Sequence, residues 1–425
     1  MPRIFKSLRR QLLRLRLLPS KSKAQKPVQQ HNVQDTSTTA APKPTKQQTV
    51  VSPYDTGTTL SIALTNNTTS ANVYAFITGT AISSRNSLFL LQADGQTPYY
   101  PLSPMKTTQP LQVNCAIPLG APGNVVTVTI PQIVGGRIWF SIDAPLTFLL
   151  NPGPALVEPS VTNPSDPNLN INWGFAEFTF TSAQLYANIS YVDFVSIPIA
   201  LTLETADGTT KSISGLNRGG LDSICEQLQQ QSQADGVDGW ADLVVKYGGR
   251  NLRALSPNTG MVVNQNAFAG YWDPYVNHVW SQYSTQQLTV NAQSVNVTGG
   301  VSSSSNQLVL GNESFDKPST QDIFSCNTGV FATGSSATRN VLIPQLAASF
   351  NRTTLLASNY VPASQSTYYE NTITNHYSRI VHSENADGKG YAFPYDDAGS
   401  PDGPDQSGYV NDPNPRVLTV TVGQG

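Results

Sequence analysis

Two short alternating runs around a turn, Asn172 to Leu203 (NWGFAEFTFTSAQLYANISYVDFVSIPIALTL), constrain this chain more than any other stretch. In the first run Phe175, Glu177, Thr179 and Thr181 fall on one face, with Ala176, Phe178 and Phe180 on the other. In the second, Tyr191, Asp193 and Val195 share a face, opposite Val192, Phe194 and Ser196. Carboxylates are depleted from half-buried pleated surfaces. Each run nevertheless carries one, framed by aromatic and aliphatic residues. A lone strand carboxylate ordinarily sits on a solvated outer face. Two that face each other cost stability and ask for a functional reason. A turn within Ser182 to Asn188, centred on residue 185, predicts Glu177 and Asp193 as opposite or diagonal neighbours. One carboxylic acid and one carboxylate flanking a single bond is the equipment for glycosidic cleavage.

The remainder of the chain reads as mainly β. TLSIALTN, ANVYAFITGT, SLFLLQADGQ, NVVTVTIPQI and RIWFSIDA alternate with period two, separated by Gly, Pro and Asn turns, the pattern of a sandwich or barrel. Asp207-Gly208 predicts a hairpin between IALTLE and TKSISGL. After Gly219-Gly220 the period changes. Leu221, Ile224, Cys225 and Leu228 recur at helical spacing, and so do Trp240, Leu243, Val244 and Tyr247. Asp273-Pro274 opens a further helix, and Ser319 with Asp322 forms a capping-box pattern. Strand-like QLTVNAQ and NQLVLGN lie between the helices, and GYAFPYDD and RVLTVTVG return to β. The expected division is a tail and linker over 1–54, a β-domain over 55–214 completed by 375–425, and an inserted mixed α/β domain over 215–374. A wide groove is expected between the last two.

The net charge of −2 conceals an asymmetry: residues 1–50 carry +10 and the remainder −12. An acidic body excludes nucleic acid as the expected partner. Residues 1–26 read as a basic amphipathic helix ending at Pro19. Arg14 and Arg16 interrupt the apolar core that a signal peptide would need. Residues 27–54 read as a linker. No apolar run reaches the length of a membrane span. The three cysteines, Cys115, Cys225 and Cys326, lack metal-ligand spacing. Cys225 and Cys326 both fall in the inserted part, so they are the expected disulfide pair if the protein matures in an oxidising compartment, with Cys115 left as a free thiol.

AEFTFTSAQLYANISYVDFVSIPIAL resembles the segment shared by thaumatin-like proteins and glycoside hydrolase family 64, endo-β-1,3-glucanases with a thaumatin-like barrel. The resemblance to family 64 extends through ICEQLQQQ, LRALSPN, YWDPYVNHVW, KPSTQDIFSC, LAASFNRTTLL, NHYSRIVH and GKGYAFPYDDAG, about residues 55 to 425. Thaumatin-like proteins carry many more cysteines, which makes the glucanase the closer relative. The resemblance implies Glu177 as general acid and Asp193 as general base of an inverting endo-β-1,3-glucanase. That route needs about 6.5–9.5 Å between the carboxyls to admit water. It implies no metal or cofactor. Trp173, Thr179, Tyr186, Tyr191, Asp396 and Asp397 are the candidate substrate-binding residues. A monomer acting on extracellular or cell-wall β-1,3-glucan is expected, and a non-catalytic glucan-binding thaumatin-like protein is the alternative.

Overall fold

Alternating burial along five strands builds the first sheet in the computed structural model, which describes residues 59–292, 295–399 and 406–423. Its strand order is Thr210–Ile213, Ile199–Thr205, Pro415–Val422, Leu60–Asn66, Val125–Ile130. Leu60, Ile62 and Leu64 point inward with Val128, Ile130, Leu201, Leu203, Leu418 and Val420, while the residues between them are partly exposed. Period-two patterning therefore sets which face is core. The last strand runs parallel to Leu60–Asn66, so the C-terminal residues close the sheet begun by the first strand. The Asp207-Gly208 hairpin forms as expected.

The second sheet has eight strands. Its main path is Tyr409–Asp412, Leu185–Ile189, Asn172–Phe180, Ile133–Ile142, Val73–Ala81, Ser87–Leu91, Pro98–Tyr99. Its inner face carries Ile77, Ile138, Ala176, Phe178, Ala187 and Ile189, all buried. Phe178 lies across Gly136 of the neighbouring strand. A Cβ built on that glycine would stand 2.5 Å from the Phe178 ring. The two sheets are open layers, so the mainly β expectation holds as a sandwich and not as a closed barrel.

The helical part begins at Gly220–Asp235, whose Ile224, Cys225 and Leu228 are buried. Asp273–Tyr283 and the capping box at Ser319 and Asp322 also form. The helix expected over Trp240 to Tyr247 does not. Only the single turn Gly239–Asp242 is helical, and Val244–Tyr247 is a strand paired with Arg250–Leu255. Gly248 and Gly249 both have positive φ, 58° and 78°, which is the two-residue hairpin turn. The glycines that looked like a helix stop are thus the turn of a β-hairpin. Likewise GYAFPYDD is not a strand: it makes one bridge, Ser190 to Tyr391, and then turns.

Strand Arg250–Leu255 also pairs with Phe194–Val195, which ties the helical part to the chain just after Asp193. Asp55–Gly425 form one compact unit. The basic helix and linker expected over 1–54 lie outside the described residues. Among the described residues no helix is long and apolar enough to cross a membrane.

All three cysteines are buried free thiols, so the expected Cys225–Cys326 bridge is absent. Each sulfur has its own packing site. Cys326 Sγ donates to the Ile323 carbonyl at 3.3 Å and accepts from Asn351 Nδ2 at 3.3 Å, while Cys225 faces the core from its helix. Burial pushes the thiols of Cys115 and Cys225 up to about 12, which keeps both protonated and unreactive.

Gly136→Ala should lower stability by about 1–3 kcal/mol, the usual cost of overpacking, read as a lower denaturation midpoint. An unchanged midpoint would show that Phe178 does not close on that backbone.

Candidate active site

Glu177 sits mid-strand on the outer face of the eight-stranded sheet, and hydrogen-bonded register fixes its neighbours. Arg137 is its partner on one side and Asn188 on the other. The row continues to Thr78 beyond Arg137 and to Tyr409 beyond Asn188. The adjacent row holds Phe76, Trp139 and Phe175. The Arg137 guanidinium lies over two of the three aromatic rings of that row, 5.3 Å from the Trp139 centroid and 5.0 Å from Phe175. Its Nε is 3.6 Å from Glu177 Oε1, and its Nη1 is paired with Glu158. The Glu177 side chain is only 12% exposed.

Asp193 does not face Glu177 across a hairpin. The turn closes tighter than the pattern suggested: Thr181 N–H donates to Gln184 O at 2.9 Å, and the Thr181 hydroxyl accepts from Ala183 N–H. That turn pairs Phe180 with Leu185 and Glu177 with Asn188. The chain leaves the sheet after Ile189, and Asp193 lies in a bend before Phe194–Val195 joins a different sheet. Val192, Phe194 and Val195 are all buried, so no alternation survives there. The bend is held where the Asp193 carbonyl accepts from Ser256 N–H at 3.0 Å.

The bend carries Asp193 into a cleft that Arg137, the strand partner of Glu177, also lines. A cleft of 310 Å³ is lined by Arg137, Trp139, Trp173, Phe175, Asp193 and Phe194, with Ser160, Thr162, Asn258 and Thr259 supplying polar atoms. Glu158 records the crowding of charge there. Burial pushes its carboxyl above the ordinary range, Arg137 pulls it down, and the charges of Glu177 and Asp193 push it up further. Arg137 and Glu158 were missed by sequence reasoning. Arg137 left a signal, a lone cation inside an aromatic strand that neighbours the Glu177 strand. Glu158 left none, since it stands in a loop.

The other candidates scatter. Trp173 is 1% exposed and stacks edge-on with Phe194 at 4.8 Å, its indole N–H bonded to Asn168 O, so it supports the cleft from beneath. Arg253 is buried against its ring and donates to Leu169 O and Ile171 O, which fixes the loop in front of it. Thr179 is buried beside Tyr186 in register, and Tyr186 stacks on Tyr409 at 5.0 Å, next to the Glu177 row. Tyr191 is buried, with its hydroxyl donating to Asn385 at 3.2 Å. Asp397 is partly exposed and accepts from the Tyr391 hydroxyl.

Asp396 is not a cleft acid. Completely buried, it accepts from Arg352 at 2.8 Å, His382 at 3.0 Å and the Ala392 N–H at 3.0 Å. Burial alone would raise its carboxyl, but His382, Arg352 and that N–H together hold it below the ordinary value. It is an internal counter-ion that fixes the segment 391–398.

A two-sheet sandwich that carries Glu177 and Arg137 on the outer face of one sheet, beside an aromatic-based cleft lined by Arg137 and Asp193, defines the class as a β-sandwich protein with a polar cleft. A family model described as beta-1,3-glucanase, glycoside hydrolase family 64, matches residues 58–422, and the chain belongs to that family. Glucan endo-1,3-beta-glucosidases of Cellulosimicrobium cellulans and Arthrobacter sp. (strain YCWD3) are each 29% identical to it over 309 residues, 70% of this chain. The chain spans about half the length of these relatives, 53%. A solved laminaripentaose-producing beta-1,3-glucanase, in complex with laminaritetraose, is 33% identical with a TM-score of 0.76 over 86% of this chain and 99% of its own. A beta-1,3-glucanase domain from Clostridium beijerinckii, 22% identical, shares the fold with a TM-score of 0.66 over 88% of this chain and all of that one, 100%.

Asp396→Asn should cost about 3–5 kcal/mol, because it leaves the Arg352 charge buried without its counter-ion. Since the native carboxyl is held low, its stabilisation is present above the ordinary carboxylate range and is lost as pH falls through the lowered native value. Wild-type midpoints should therefore drop on acidification, and the variant's should drop less. Loss of glucan binding at an unchanged midpoint would return Asp396 to the cleft.

Proposed function

We propose that this chain cleaves β-1,3-glucan internally, with inversion, and releases short gluco-oligosaccharides. One observation carries the reading: Asp193 from a bend and Arg137 from a sheet strand line one aromatic-based cleft, and Glu177 stands opposite that arginine with Nε 3.6 Å from its Oε1, in a chain of the beta-1,3-glucanase family. Trp139, Trp173 and Phe175 give the cleft an apolar base, and the Ser, Thr and Asn side chains around it suit sugar hydroxyls. The solved relative complexed with laminaritetraose supports the substrate class.

In this reading Glu177 protonates the glycosidic oxygen. Its low exposure keeps bulk water from that proton. Asp193, partly exposed in its bend, takes a proton from the water that attacks the opposite face of the sugar. Microscopic balance is simple: one C–O bond breaks, one forms, and the proton gained by the leaving oxygen is replaced by the one taken from water. Both acids belong to one chain, so a monomer suffices. We take residues 215–374 as an insertion that walls the cleft through Asn258, Thr259 and Val262. A polymer of this kind is met outside the cell, which places the activity in the extracellular space or cell wall.

Glu177→Gln and Asp193→Asn should each lose at least about 10²-fold in reducing-sugar release from a linear β-1,3-glucan, with unchanged melting and retained glucan binding. Near-native turnover in either variant would overturn the assignment. Binding without any cleavage by the wild-type protein would make it a glucan-binding module.

A further inference from the structure

We infer that Glu158 is a positioning residue for the acid: by pairing with Arg137 it neutralises the guanidinium beside Glu177 and sets the pH at which Glu177 can deliver its proton. This rests on the reading of Glu177 as the general acid.

The position of Arg137 conflicts with the task given to Glu177. A general acid must hold its proton at working pH. An opposite charge within about 4–6 Å favours the ionised form and moves a carboxyl down by about 1–3 units. Arg137 cannot avoid Glu177, because backbone register places the two residues opposite one another and leaves Nε 3.6 Å from Oε1. Nor is Arg137 free to swing away. Its guanidinium is seated over the Trp139 and Phe175 rings. Left alone with Arg137, Glu177 would be a poor acid.

Glu158 changes that balance in two ways. It takes a terminal nitrogen of Arg137, and it adds negative charge to the same space. Register sets Arg137 on one side of Glu177 and Asn188 on the other, Glu158 pairs with the same guanidinium, and Asp193 lines the cleft with Arg137. Among them Arg137 is the cation, and Glu158 is the carboxylate paired with it. The charges of Glu177 and Asp193 push the Glu158 carboxyl up, and the shared guanidinium links Glu158 to Glu177 directly. A purely structural ion pair would need no third acid within reach.

The test is the pH profile of kcat/KM on linear β-1,3-glucan, measured for wild type, Glu158→Gln, Arg137→Gln and the double variant. Glu158→Gln unmasks the guanidinium, so the alkaline limb should move to lower pH by about one unit or more. Arg137→Gln removes the cation that favours ionised Glu177, so the limb should move the opposite way. The double variant should return near the wild-type position. Should Arg137→Gln fail to fold, Glu158→Gln decides alone, since its side chain is 35% exposed and is no part of the core. An alkaline limb that stays in place in Glu158→Gln overturns the inference, even if activity falls. Glu177→Gln run alongside separates the two claims. If it is inactive while the limb stays fixed, only the inference fails; if it is active, the reading of the acid fails and the inference with it.

Discussion

A guanidinium anchored on the outer face of a β-sheet is the interaction around which the cleft is arranged. Arg137 is held from below by Trp139 and Phe175 and from the side by strand register. A cation in that position needs anions near it, and the protein supplies them from three sequence regions: Glu177 along the neighbouring strand, Glu158 from the loop before it, and Asp193 from the bend after it. Glu158 and Glu177 both pair with the cation, and the charges of Glu177 and Asp193 push the Glu158 carboxyl up against the pull of Arg137. Like charges grouped without Arg137 would be destabilising. Grouped around it, they become a site in which one acid can differ from another.

The second organising fact is that the chain changes sheets between Ile189 and Phe194. The strand Leu185–Ile189 belongs to the large sheet, and Phe194–Val195 pairs with Arg250–Leu255 of the helical part. That exchange turns Asp193 out of any ladder and toward the cleft, and it buries Phe194 against Trp173 and Phe175. It also explains why Trp173 serves from beneath. With Arg253 packed on it and its N–H committed to Asn168, its ring underlies the cleft, 1% exposed, and does not stand out as a platform. The helical part therefore contributes to the cleft through the wall at Asn258 and Thr259 and through the contact that fixes the bend.

Much of this was legible in the sequence, and the failures have physical reasons. Alternation located the sandwich strands because each buries one face, and the family resemblance named both acids. Register was misread because a strand pattern does not state where its turn closes: the bonds from Thr181 and to Gln184 decided it, two residues before the expected centre. Val244 to Tyr247 looked helical because Trp240, Leu243 and Val244 share a helical spacing that short strands also satisfy. The paired glycines after them were the stronger signal. Asp396 resembled a cleft acid because sequence shows charge and not its counter-ions, Arg352 and His382, which lie 44 and 14 residues away. Glu158 could not be found at all, since nothing local marks a loop carboxylate that reaches a distant arginine.

In the proposed reaction Glu177 and Asp193 act on one glycosidic bond as acid and base across a water molecule, with no bond to the enzyme. Proton NMR of the first products from a linear β-1,3-glucan, recorded faster than mutarotation, tests it directly. Inversion at a β-linkage predicts that the newly formed reducing end appears first as the α-anomer and then drifts toward the equilibrium mixture. A first-formed β-anomer would mean retention through a covalent intermediate, and would contradict the roles given to both carboxylates.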